Sequence, residues 1–173
     1  DSARDLYKQA VEAAQAGERK QAIELLKEAV GIYPNFMTAL NELGVQYIAL
    51  KQFKDAAESL RAAIKIGPEA FHPRLKYGIA LLQLKDYKAA AAELQIAVQK
   101  DSSSAVANYQ FGRALVNLGN YDPAERFLKQ AISIGGPDII EAHRYLAAVY
   151  IEKQNSQMAA TELETYLKLA PVA

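Results

Sequence analysis

Alanine recurs in this chain at a fixed step: Ala22, Ala56, Ala90 and Ala124 lie 34 residues apart, and Ala159 follows after 35. Leu26, Leu60, Leu94, Leu128 and Leu163 keep the same step and the same slip. A second alanine set, Ala29, Ala63, Ala97 and Ala131, is broken by Tyr166, and Pro34, Pro68, Pro137 and Pro171 close the units, with Ser102 in the missing slot. A shared period of this length is the signature of stacked supersecondary units. The slip is one extra residue between Ala131 and Pro137, most simply within Gly135-Gly136.

Each unit carries two runs of helical spacing. In the second unit, Leu40, Leu43, Tyr47 and Leu50 form one, and Phe53, Ala56, Ala57, Leu60, Ala63 and Ile64 the other. No alternation of period two is sustained, and alanine is too frequent for strands. Asp122-Pro123-Ala124-Glu125 predicts an N-cap, a proline at the first helical position and a returning carboxylate. Asp138-Ile139-Ile140-Glu141 repeats that logic without the proline, Pro73 fits a first helical turn, and His72-Pro73 reads as a capping region. Small residues recur on the first helix of each unit, at Ala10, Gly44, Gly78, Gly112 and Ala147. A helical glycine costs about 1 kcal/mol against alanine, so its recurrence predicts close helix contact, with the alanine pair of the second helix opposite.

Read together, these slots resemble the tetratricopeptide repeat: in the second unit, Leu40, Leu43-Gly44, Tyr47, Ala56, Leu60, Ala63 and Pro68 match its pattern in full. The resemblance implies one array over residues 1–173, with repeats at 3–36, 37–70, 71–104, 105–139 and 140–173. The fold it implies is all-α: a right-handed α-solenoid, or superhelix, of stacked antiparallel helix hairpins with about ten helices. Arg74, Asn108 and His143 depart from it, standing where a large apolar residue is usual, and Gln9 replaces a leucine; these should loosen individual contacts.

Chemistry is sparse. Lys+Arg and Asp+Glu both total 20, so no net field favours nucleic acid or an acidic membrane, and no apolar run is long enough to insert in one. Cysteine is absent, which excludes disulfides, thiolate metal sites and a cysteine nucleophile. His72 and His143 stand in different units with no catalytic spacing, no phosphate-loop motif is present, and Asp101-Ser102-Ser103-Ser104 reads as a helix-cap loop. We therefore expect no enzyme, no catalytic residue, no metal and no cofactor.

What remains is shape. The family resemblance implies that the first helices line a concave face, with the second, fifth, ninth and twelfth residues of each unit pointing inward. From those slots we take a peptide-binding set: Arg4, Tyr7, Asn41, Val45, Ile48, His72, Leu75, Ile79, Tyr109, Arg113, Val116 and Arg144. The family's two-carboxylate clamp for chaperone tails is not matched: where it needs Lys, Asn, Asn, Lys and Arg, this chain has Tyr7, Val11, Glu42, His72 and Lys76. The expectation is a non-catalytic scaffold that holds a partner's peptide or helix, steered by an acidic group to Arg113 or Arg144. The alternative is a structural spacer or self-association module excised from a larger protein. It rests on Leu163, Tyr166, Leu167 and Leu169, followed only by Ala170-Pro171-Val172-Ala173, which suggests a homo-oligomer through an uncapped last helix. The start at Asp1 without methionine points the same way, and the composition looks bacterial, cytoplasmic or periplasmic.

Overall fold

A computed structural model of the chain describes residues 2–137 and 139–170; the expected cap at Asp138, the closing Pro171 and the last two residues lie outside them, as does Asp1. Among the described residues there are ten α-helices and no strand. In chain order they are α1 (Ala3–Gln15), α2 (Arg19–Ile32), α3 (Met37–Ala49), α4 (Phe53–Ile66), α5 (Phe71–Gln83), α6 (Tyr87–Lys100), α7 (Ala105–Asn117), α8 (Tyr121–Ile134), α9 (Ile139–Glu152) and α10 (Ser156–Leu169). The chain divides into two compact units, one holding α1–α5 and the other α6–α10.

In the first unit α1 pairs with α2 and α3 with α4; α2 packs on α3, α4 on α5, and the first helices α3 and α5 touch. The second unit repeats the scheme, with hairpins α7–α8 and α9–α10, contacts α6–α7 and α8–α9, and first helices α7 and α9 side by side. The recurring residues build this directly. Leu26, Leu60, Leu94 and Leu128 are fully buried, as are Ala22, Ala56, Ala90 and Ala124. Each such leucine contributes about 1.5–3 kcal/mol of transfer free energy. The alanines let backbones approach where a longer side chain would hold them apart.

Gly44 and Gly112 do the same, with a leucine of the second helix as the nearest neighbour. A Cβ on Gly44 would lie 2.4 Å from Leu60 Cγ, and one on Gly112 would lie 2.7 Å from Leu128 Cγ. What stands nearest the glycine is therefore the repeating leucine of the second helix. The polar departures also tighten rather than loosen. Arg74 donates to the carbonyl of Pro68 at 2.6 Å, and Asn108 donates to Ser102 and Ser104 carbonyls at 3.0 and 2.8 Å. His143 meets Glu162 at 2.5 Å, joining α9 to α10. Each polar side chain replaces lost apolar contact with a hydrogen bond to a neighbouring segment.

The turn inside each hairpin is the same Schellman motif, in which a residue of positive φ lets two amides reach back to the last helical turn. Gln52 N–H reaches Tyr47 O at 2.8 Å and Lys51 N–H reaches Ile48 O at 2.9 Å; Asn155 and Gln154 repeat this on Tyr150 and Ile151. Between hairpins, Ser104 caps α7 by accepting from Ala107 N–H at 3.2 Å, and Asp101 accepts from Ser103 N–H, as the serine run predicts. The slip in the period coincides with two successive positive φ values, 89° at Gly135 and 106° at Gly136. The α8 start differs from expectation: the N-cap is Asn120, so Pro123 is the third helical residue. That position also lacks an intrahelical N–H partner, so proline is tolerated there.

Asp122 is thereby freed for a longer reach: Lys153 Nζ binds it at 2.7 Å and Glu125 at 2.7 Å. Glu125 also accepts from Lys129 at 2.5 Å and from the Tyr150 hydroxyl at 3.1 Å. The bonds from Lys129 and Lys153 hold its carboxyl down to about 2. A carboxyl whose folded pKa lies below its ordinary value stabilises the fold above that ordinary value, and loses the contribution as pH falls toward the folded pKa. We expect the urea midpoint of the native chain to drop between about pH 5 and pH 2.5, with a smaller drop for Glu125→Gln. Parallel acid profiles for the two proteins would count against the network.

Candidate functional site

The twelve residues of the predicted binding set fall into three groups. Arg4, His72 and Arg144 are exposed; Tyr7, Asn41, Val45, Ile48, Ile79, Arg113 and Val116 are half-buried. Leu75 and Tyr109 are core residues instead, 3% and 5% exposed, and cannot offer a contact surface. Their slot lies at the seam between neighbouring first helices, where a large side chain is covered. Tyr109 of α7 meets Tyr145 of α9 edge-on, with ring centroids 5.9 Å apart, and burial pushes its phenol well above the ordinary range.

Above that seam the second unit assembles cations around one ring. The Arg144 guanidinium lies 4.6 Å from the Tyr145 centroid and that of Arg113 lies 5.9 Å from it. Cations over an aromatic face gain about 0.5–2 kcal/mol, more as water is excluded. Arg144 is neutralised by Glu141 at 2.6 Å. Arg113 is different: its Nε is buried and meets no acceptor. Tyr145, the centre of the cluster, is absent from the sequence-derived set. It occupies the sixth slot of its unit, which elsewhere holds Lys8, Glu42, Lys76 and Gln110; a lone aromatic in a polar slot was the available signal.

In the first unit the same inward slots give a mixed surface. Tyr7 packs on Phe36 at 5.3 Å, and Phe36 on Tyr33 at 5.9 Å. Burial, then the charge of Glu42, pushes the Tyr7 phenol up. Glu42 accepts from Gln46 at 2.6 Å and Gln46 accepts from Arg19 at 3.0 Å, which pins that acid to its own hairpins. Beside it the Asn41 Oδ1 is buried and meets no donor. His72 sets its ring edge-on to Phe71 at 5.2 Å, within α5 and not at its cap, which is Ala70. Among the described residues no cluster of three or more His, Cys, Asp or Glu could hold a metal ion. No helix there is long and apolar enough to cross a membrane.

The comparisons with known proteins bear on this framework. One profile described as tetratricopeptide repeat matches residues 7–71 and 47–105, and a second matches residues 81–143. No curated protein matches the sequence. Among solved structures, MamA (41-end) from Desulfovibrio magneticus RS-1 superposes with a TM-score of 0.88 at 22% identity, covering 98% of this chain and 95% of that one. A further MamA structure gives 0.83 at 24%, with 92% of each chain covered. YrrB, described as a TPR protein with an unusual peptide-binding site, gives 0.83 at 23%, covering 96% of this chain and 85% of that one. At these identities the likeness is one of fold: an all-α solenoid of helical hairpins.

Proposed function

Because the chain belongs to the tetratricopeptide repeat family, whose arrays act as protein-interaction scaffolds, we propose that it is a non-catalytic scaffold. It binds a partner's peptide on the first-helix face of the second unit, around Arg113. The observation that carries this reading is the orphaned Arg113 Nε on an inward slot. A buried polar group without a partner costs about 1–3 kcal/mol. An extended peptide supplies the missing complement, a carbonyl or carboxylate for the Arg113 nitrogen. Val116, half-buried and three residues further along α7, suits an apolar side chain of the same ligand. That YrrB is described by a peptide-binding site supports the ligand class.

The aromatic and cationic surroundings favour one acidic group in the ligand. Among the described residues no carboxylate pairs with Arg113, whereas Arg144 already holds Glu141. A short segment bound this way should have micromolar affinity, roughly −7 to −8 kcal/mol. The test is a peptide-display selection on the native chain, followed by titration of the selected peptide against Arg113→Ala and Tyr145→Ala. We expect Arg113→Ala to weaken binding about tenfold or more, with affinity falling as salt rises and far-ultraviolet dichroism unchanged. Selected peptides that bind both variants with native affinity would refute the assignment.

A further inference from the structure

We propose that the groove between α2 and α3 is a second binding site, which takes an acidic side chain of a partner's peptide together with an apolar residue beside it. The repeat supplies the internal standard. Three repeats on, the same slots form the junction of α8 and α9, and there the chain fills them itself. Glu125 accepts from Lys129, from Lys153 and from the Tyr150 hydroxyl. Lys129 Nζ also lies 5.7 Å from the Tyr150 ring centroid. One carboxylate thus gathers two ammonium groups and a phenol.

In the first unit the donors are kept and the carboxylate is replaced. Tyr47 holds the slot of Tyr150 and Lys27 that of Lys129, but Ile23 stands for Glu125 and Leu50 for Lys153. Lys20 stands for Asp122, so one acid of the network has become a cation. Burial pushes the Tyr47 phenol up, and the nearby charge of Lys27 opposes this. Among the described residues no carboxylate accepts from the Tyr47 hydroxyl, and none pairs with Lys20.

These five residues line a groove of about 470 Å³, within the range of ligand pockets. Ile23 is buried, and Tyr47 and Leu50 pack against its cluster, so the floor is apolar. The acids on the rim do not take the part of Glu125. Glu24 pairs with Lys27 at 3.2 Å, but both side chains are more than half exposed, and such a pair is worth little and exchanges readily. Asp55 stands in the first turn of α4, where the helix N-terminus favours a negative charge. A carboxylate arriving on Tyr47 and Lys27 reproduces the charge-assisted contacts of Glu125. An apolar residue next to it covers Ile23 and Leu50, whereas a cationic segment meets Lys20.

The experiment follows the backbone amide signals of the whole chain by NMR while the acetylated and amidated tripeptide Leu-Glu-Leu is added. We expect saturable shifts on α2 and α3. Affinity should fall about fivefold or more for the tripeptide Leu-Gln-Leu, and likewise for Tyr47→Phe, Lys27→Met and Lys20→Glu. Tyr47→Phe keeps the packed ring and the two lysines are surface residues, so the variants retain the fold, which their own spectra check. Arg113→Ala should leave these shifts unchanged, which separates this groove from the peptide face of the second unit. Several results would overturn the proposal: no saturation by about 20 mM tripeptide, equal affinity for Leu-Gln-Leu, native affinity in any of the three variants, or loss of binding in Arg113→Ala. Hexanoate binding as tightly as Leu-Glu-Leu would also overturn it, by assigning the groove to free carboxylic acids.

Discussion

Leu60→Ala should be among the most damaging single substitutions in the first unit, and Gly44→Ala should partly rescue it. Leu60 is fully buried, and its Cγ sits where a Cβ on Gly44 would need to be, 2.4 Å away. Truncation of a buried leucine costs about 2–5 kcal/mol, depending on how far the cavity collapses. Gly44→Ala alone has opposing effects: it gains about 1 kcal/mol of helix propensity and costs about 1–3 kcal/mol by forcing a packed side chain off its rotamer. We expect the steric cost to win, because the clash involves Leu60 Cγ rather than only its movable ends. With Leu60→Ala present the obstruction is gone, so adding Gly44→Ala should restore about 1 kcal/mol. A double-mutant cycle by urea denaturation reads this as strong non-additivity. Additive effects would mean that the two helices do not meet through this pair. The same cycle at Gly112 and Leu128, where the gap is 2.7 Å, should behave alike in the second unit.

The second large effect is a gain. Five hairpin turns share one slot with positive φ; Gly17 and Gly119 fill two of them at 82° and 76°, but Lys51, Lys85 and Gln154 fill the others at 59°, 63° and 58°. A side chain in this left-handed region costs about 1–2 kcal/mol, against which glycine loses about 0.5–1 kcal/mol more backbone entropy on folding. Each replacement by glycine should therefore stabilise by about 0.5–1 kcal/mol. The three sites lie in separate turns, so Lys51→Gly, Lys85→Gly and Gln154→Gly together should add about 2 kcal/mol, raising Tm by roughly 4–8 °C. Gly119→Lys should move Tm the other way. An unchanged Tm in the triple variant would show that the turns carry no such strain.

Much of the architecture was legible in the sequence because each repeating slot has one physical task. A leucine at every 34th position fits a place that must be filled, and an alanine or glycine a place that must be left nearly empty. The hairpin count and the helix-cap role of the run from Asp101 to Ser104 follow from these local demands, whereas the N-cap of α8 at Asn120 did not. The proposed binding face was legible only in part: among the slots assigned to it, Arg113, Arg144 and Asn41 lie outside the core, whereas Leu75 and Tyr109 are buried in it. Tyr145, which gathers both arginines, was passed over.

Sequence alone determined that this chain forms helical hairpins in a repeating register, because periodicity records which side of each helix is shielded from water. Tertiary structure alone decided which inward slots remain accessible and which polar atoms stay without partners. Those properties depend on how closely helices approach, within a hairpin as at Gly44–Leu60 and between neighbouring first helices as at Tyr109–Tyr145.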